Sequence, residues 1–324
     1  MKIPQLCAFA ALATLCAGAM AEFPQKPIVL VVPFAAGGPT DKIARDLAEA
    51  MRKTLPQPVI VENAAGAGGT IGVAKVARSN ADGYTLLVHH IGMATAPALY
   101  RKLSYKMPDD FEYLGLINES PSTVITRPNM EANNFGELRQ WIAVNPGKVN
   151  LAHAGLGSAS HLCGLMLQSE LKADMTTIAY KGTGPAMTDL LGGQVDIMCD
   201  QATSSVPQIA AGKVKLFAVT SAERSKQAAI ASAPTLSEAG LPGFNVSIWH
   251  GLYAPKGTPQ KVLGKINGAL RAALKDADFV RKQDALGVSV VSDGRLDSAG
   301  HKKYVEAEMA RWSVVIKAAG QYAD

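Results

Sequence analysis

The sequence predicts an α/β fold in two lobes with a cleft between them. Three observations carry this. Short β-rich runs alternate with helical patterns through glycine-rich turns in the first third of the chain; the alternation starts afresh beyond Tyr113; and two long extended stretches, residues 113–126 and 244–254, bracket the middle third. Strand-then-helix alternation builds mostly parallel sheets covered by helices. Two crossings of the chain between lobes make a hinge.

The first 21 of the 324 residues have the make-up of a secretion signal. Lys2 precedes an apolar stretch, residues 6–15, that is too short to span a bilayer, and Ala19 and Ala21 satisfy the small-x-small cleavage pattern. Cleavage after Ala21 and release into the periplasm are expected. Lipid attachment at Cys16 is disfavoured, because Ala13 stands where a lipobox has a large aliphatic residue. Residues 26–34 then read as a strand that halts at Ala35-Ala36-Gly37-Gly38-Pro39-Thr40-Asp41. Ile43, Ala44, Leu47, Ala48 and Met51 follow at helical spacing. The unit repeats with a strand over 59–61, a turn containing Gly66, Gly68 and Gly69, and a helical pattern through Ile71, Val73, Ala74 and Val76. A third strand covers 84–89. In the middle third, helices are expected over 134–145, 161–170 and 186–192, and strands over 149–154, 176–180, 195–199 and 214–220. Helices over 260–275, 277–286 and 298–319 close the chain. The expected domains are lobe I, residues 22–121 and 250–324, and lobe II, residues 122–249.

The net charge of +5 at pH 7 is mild, and no basic block or basic-aromatic interleaving occurs, which argues against nucleic-acid binding. Neither a Walker loop nor G-x-G-x-x-G follows the first strand, and G-x-S-x-G, H-E-x-x-H and cysteine-histidine metal spacings are missing. No cofactor and no metal is expected. Cys163 and Cys199 remain once the signal is removed, in a compartment that permits oxidation. A disulfide and two buried thiols are both open at this point.

The turn at Gly37-Gly38 lets backbone amides approach a ligand at a helix N-terminus, where negative charge is favoured. Asp41 or Thr40 there caps the helix or meets the ligand. Gly66, Gly68 and Gly69 form a second such loop at the carboxyl end of a neighbouring strand, the edge at which open α/β sheets bind ligands. In lobe II, residues 154–161 offer hydroxyls and amides. Ser158 and Ser160 are either N-caps or ligand contacts. Thr183, at another strand-to-helix junction, suits a second oxyanion. Asp200 either accepts from a ligand hydroxyl or ammonium or caps the following segment. His250 and the pair His89-His90 lie at ends of extended runs, in the cleft or as structural histidines, and Trp249 stacks on a planar ligand or on the core.

VVPFAAGGPTD, VENAAGAGGTIG and ADGYTLL, followed by GSASH, YKGTGPAMTDLLGGQVD, APTLSEAGLPGF and YAPKGTP, resemble the Bug-type receptors, the extracytoplasmic solute-binding proteins of tripartite tricarboxylate transporters. The likeness covers essentially the whole mature chain. It implies a type II periplasmic binding fold, no catalysis, and delivery of a small organic carboxylate to a membrane permease. By the same resemblance one carboxylate end is held by Phe34, Ala36, Gly37, Gly38 and Asp41 with Gly66, Gly68 and Gly69. The other end is held by Ser158, Ser160, His161, Thr183, Ala186 and Asp200. No arginine is among these, so amides, hydroxyls and helix dipoles carry the recognition. His161 and His250 add charge-assisted bonds when protonated, and Phe34 or Trp249 packs on a ring, so aliphatic and aromatic dicarboxylates, terephthalate-like acids included, both fit. A monomer is expected. A sensory receptor for the same ligand, or a serine-dependent hydrolase built on Ser160 and His161, are the alternatives.

Overall fold

The computed structural model describes residues 22–320 and Tyr322. The expected signal segment and its cleavage point after Ala21 lie outside the described residues. In chain order the elements are β1 (Ile28–Val32), α1 (Pro39–Met51), β2 (Val59–Asn63), α2 (Thr70–Ala77), β3 (Thr85–His90), α3 (Gly92–Leu99), β4 (Phe111–Thr126), α4 (Phe135–Val144), β5 (Asn150–His153), α5 (Ala159–Leu171), β6 (Thr176–Ala179), α6 (Thr183–Leu191), β7 (Ile197–Gln201), α7 (Ala202–Ala210), β8 (Lys215–Val219), β9 (Ser247–Pro255), α8 (Gln260–Ala273), α9 (Ala277–Asp284), β10 (Ser289–Val290) and α10 (Ser298–Ala319).

The strands form two linked arrays. In the first, β1 lies between β2 and β3, all parallel, and β9 then runs antiparallel to β3 and β4 to β9. β10 borders β4. In the second, the end of β4 lies antiparallel to both β7 and β8, and β7, β5 and β6 continue in parallel. β4 therefore belongs to both. It pairs with β9 from Phe111↔Pro255 to Pro121↔Ser247, then with β7 from Ser122↔Gln201 to Thr126↔Ile197. The partner changes next to Pro121, which has no amide hydrogen with which to continue a ladder. The two extended stretches read from the sequence are thus neighbouring antiparallel strands at the junction of the arrays.

β1 is an uninterrupted apolar run because helices cover both faces of its array. Ile28, Leu30 and Val32 meet Ile43 and Leu47 of α1 and Ile266 and Leu270 of α8 in one core cluster. A separate cluster in the second array joins Ile125, Ala152, Ala186, Leu190 and Met198. Trp249 is fully buried, and its indole N–H points to Glu308, 3.4 Å away, which also accepts from Trp312 at 3.1 Å. Of its two sequence readings, the core is the one realised. Cys163 of α5 and Cys199 of β7, both fully buried, are joined in a disulfide with Cα atoms 5.9 Å apart.

Two helices near the cleft had little local signal. α3 contains Pro97, and α7 is composed of ATSSVPQIA, with few strong helix formers; burial of Met93 and Leu99 in one and of Ala202 and Val206 in the other holds them. Among the described residues no helix is long and apolar enough to cross a membrane.

Candidate functional site

A cavity lies where loops of the two arrays face each other. The first array lines it with Phe34, Ala35, Gly38, Pro39 and Thr40 from the β1–α1 turn and with His90 from the end of β3. The second contributes Ala154, Ser158, Ala159 and Ser160 from the β5–α5 turn, Gly182 and Thr183 ahead of and at the start of α6, and Asp200 and Gln201 just before α7. Four helices, α1, α5, α6 and α7, therefore begin at one space. Their opening amides have no partner within the helix, and their dipoles put partial positive charge there. Among the described lining residues there is no lysine or arginine.

Each turn is held from behind. Asp41, buried in the first turn of α1, accepts from the Gly37 amide, from Arg45 Nε and from Asn63 Nδ2, each at 2.9 Å. Asn63 also donates to the Phe34 carbonyl at 3.0 Å. Burial pushes the Asp41 carboxyl up, but the bonds from Arg45, Gly37 and Asn63 outweigh it and leave it below the usual carboxylate range. Gly37 sits at φ +80°, a conformation suited to glycine. The Phe34 ring stacks on His90 with centroids 4.5 Å apart and meets His89 edge-on at 5.2 Å. Gly69 packs on this group: a Cβ there would approach both Phe34 and His89 to 3.1 Å.

In the second array, Ser158 caps α5 by accepting from the His161 amide at 3.2 Å, and its hydroxyl lies 3.1 Å from that of Ser160. Ser160 accepts from the Ala154 amide at 2.9 Å. Capping and cavity lining therefore coexist. Asp200 receives the Ser204 hydroxyl and the Gln201 amide, yet burial pushes its carboxyl up to about 6.

Of the residues anticipated for the site, Phe34, Gly38, Ser158, Ser160, Thr183 and Asp200 line this cavity. Ala36, Gly37 and Asp41 belong to the turn that carries Phe34 and Gly38. Of the second glycine loop, Gly69 lies behind Phe34, Gly66 faces the Ile71 side chain, and Gly68 faces the opposing loop, where a Cβ would overlap the Leu156 carbonyl and the Tyr100 hydroxyl. His161 packs beside His153, ring centroids 4.8 Å apart, in a crevice between α5 and β5. Ala186, within α6, is buried in the core cluster of the second array. His250 is fully buried behind Thr40, with Nε2 3.2 Å from Thr40 Oγ1 and Nδ1 2.9 Å from Asn118 Oδ1; desolvation holds its pKa well below 6.5, so the ring is neutral.

Sequence reasoning missed Tyr100 and Asn118. The hydroxyl of Tyr100, just beyond α3, lies 3.0 Å from both the Ala67 and the Leu156 carbonyl oxygens, so it touches both glycine-bearing loops. No local pattern marks it. Asn118 had one available signal, a polar side chain directly after the apolar Leu116 and Ile117 in a buried strand.

The family model described as tripartite tricarboxylate transporter family receptor matches residues 43–321. A relative from Agrobacterium vitis, the UPF0065 protein in the TAR-I ttuE-ttuC' intergenic region, is 43% identical over 305 residues, 94% of this chain and 88% of that protein. Among solved structures, the periplasmic binding protein BugD has a TM-score of 0.90 at 46% identity, covering 93% of this chain and all of its own. MatC (Rpa3494) from Rhodopseudomonas palustris, solved with bound malate, has a TM-score of 0.87 at 40% identity over 91% of this chain and 100% of its own. R. palustris Rpa4515, solved with adipate, has a TM-score of 0.87 at 30% identity, over 92% and 99%. The fold is the two-lobed type II periplasmic binding fold.

Proposed function

We propose that the chain, which belongs to the tripartite tricarboxylate transporter receptor family, captures a small dicarboxylate by closing its lobes and hands it to the permease of such a transporter. Receptors of this family bind solutes in the periplasm and are not enzymes. The observation that carries the reading is the convergence of four helix N-termini on a cavity whose described lining has no basic side chain. Such a site holds anions through backbone amides and hydroxyls. The malate and adipate in two of the neighbours favour an acid with two carboxylates. The Phe34 ring at the wall keeps aromatic dicarboxylates of the terephthalate type within the class.

In this reading lobe I comprises residues 22–121 and 250–324 and lobe II residues 122–249, with β4 and β9 as the hinge. Closure brings the start of α1 in lobe I against the starts of α5, α6 and α7 in lobe II. The first 21 residues direct export and are removed after Ala21, and the receptor acts as a monomer.

Thermal unfolding of ligand-stripped mature protein against aliphatic and aromatic mono-, di- and tricarboxylates, sugars and amino acids tests this, since a ligand that prefers the folded state raises the midpoint. A rise with a dicarboxylate is expected. A rise only with sugars or cationic amino acids, or none across the panel, would overturn the carboxylate assignment.

A further inference from the structure

The ladder between β4 and β9 ends at Pro121↔Ser247, and the two strands part there. Ser122, the next residue of β4, and Val246, the residue before β9, are the first on either strand beyond the fork. Their amides and carbonyls all turn to one residue, Thr220, which directly follows β8. The Ser122 carbonyl accepts from the Thr220 amide at 2.9 Å, and the Val246 amide donates to the Thr220 carbonyl at 2.9 Å. The Ser122 amide donates to Thr220 Oγ1 at 2.8 Å, and that hydroxyl donates to the Val246 carbonyl at 2.6 Å. Ser122, Thr220 and Val246 are fully buried.

A backbone alone cannot do this. One residue brings one amide and one carbonyl, enough for two of the four bonds made at the fork. A hydroxyl supplies the other two, because it both accepts and donates. Its single proton goes to the Val246 carbonyl, which leaves its lone pairs to the Ser122 amide. Threonine suits the place, since branching at Cβ restricts χ1 and holds the hydroxyl between the two strands. Pro121 brings no donor of its own to the fork.

The fork is also where the chain passes between the arrays. β4 pairs with β9 on one side of it and with β7 and β8 on the other. Any change in the angle between the arrays therefore twists the chain here. With these bonds gathered on one buried residue, the two passages cannot twist separately: a turn of one carries the hydroxyl, and through it the other. We propose that Thr220 is the positioning residue of the hinge, its hydroxyl yoking Ser122 to Val246 so that both passages turn about one point and the lobes keep a defined mutual angle. This rests on the receptor reading and adds to it the residue that sets how freely the lobes open.

The test compares the native protein with Thr220→Val, which keeps the shape and removes the hydroxyl, and with Thr220→Ser, which keeps the hydroxyl. Spin labels at Arg52→Cys in the first array and Lys148→Cys in the second, both exposed positions, report the distance between the arrays by pulsed electron paramagnetic resonance. In ligand-free protein Thr220→Val should broaden the distribution of that distance, and Thr220→Ser should return it to native width. Release of malate or adipate, followed by stopped flow, should be about two- to tenfold faster from Thr220→Val, the range for one net hydrogen bond. A lower unfolding midpoint with native distribution and native release would make the hydroxyl a stabilising contact only and overturn the inference. Failure of both acids to bind the native protein would count against the dicarboxylate reading alone, since the ligand-free distribution still decides the hinge. Should Thr220→Val not fold, amide exchange in the native protein takes its place. Ser122 and Val246 should then show protection factors within about threefold of each other, because one opening frees both. A larger difference would overturn the yoke.

Discussion

The Tyr100 hydroxyl lies 3.0 Å from the Leu156 carbonyl oxygen across the cleft, and the same hydroxyl is 3.0 Å from the Ala67 carbonyl in its own lobe. One proton serves two acceptors, so Tyr100 is a shared tie between the two loops, and burial pushes its pKa above 10, which keeps that proton in place. Tyr100→Phe should leave folding nearly unchanged and weaken binding of the cognate acid about two- to tenfold, the range for one net hydrogen bond of about 0.5–1.5 kcal/mol. Stopped-flow release should show the loss as faster dissociation. An unchanged release rate would mean the tie adds nothing to closure.

Gly68 faces the same place from the other side. It has φ +60°, and a Cβ there would run into the Leu156 carbonyl and the Tyr100 hydroxyl. Gly68→Ala should therefore hold the lobes apart rather than unfold either. We expect a normal far-ultraviolet spectrum, an affinity loss of at least about tenfold, and a larger radius of gyration with ligand present, by small-angle scattering. A compact liganded variant with native affinity would contradict the role of this contact.

Asp200 makes the free receptor's stability pH-dependent in the direction opposite to most carboxylates. Its folded pKa is raised to about 6 by burial, against about 3.9 for an unfolded aspartate, so the folded chain holds the proton more tightly. Stability from this group accordingly increases as pH falls from 7 through 6 towards 4. The midpoint of ligand-free native protein relative to Asp200→Asn should rise over that interval. A difference that is flat with pH would show that the carboxyl titrates normally.

Asp41 has the reverse sign. Its folded pKa is depressed, so its contribution is present above the unfolded value and is lost as pH falls through the folded one. Asp41→Asn should cost about 1–3 kcal/mol at neutral pH by weakening the bonds from Gly37 and Arg45. It should also loosen the turn carrying Phe34 and Gly38, seen as faster amide exchange at Gly37. Full native stability at pH 7 with unchanged exchange would remove Asp41 as the clamp of this loop.

The disulfide from Cys163 of α5 to Cys199 of β7 spans 36 residues of sequence. Replacing both cysteines by alanine should lower unfolding free energy by about 2–4 kcal/mol. Ligand preference should be retained, because neither cysteine lines the cavity. Denaturant titration of both proteins, with calorimetry of the same acid, checks both halves.

Sequence alone determined the parts of this protein that are local in the chain. Alternation of β-rich and helical periods announced the α/β lobes, and turns such as Gly37-Gly38 and Gly182-Thr183-Gly184 marked where backbone would be exposed at helix starts, because periodicity and glycine conformations are encoded within a few residues. Ser158, Ser160, Thr183 and Asp200 were legible for that reason and Phe34 through the family resemblance, and all line the cavity. Tertiary structure decided the rest. It chose the disulfide over two thiols, put Trp249 in the core, and set His161 beside His153. It also joined Asp46 and Gln283, 237 residues apart, into one line of hydrogen bonds with Asn118, His250 and Thr40. Desolvation and the direction of a hydrogen bond depend on whichever groups folding brings within about 3 Å, and no run of neighbouring residues records that.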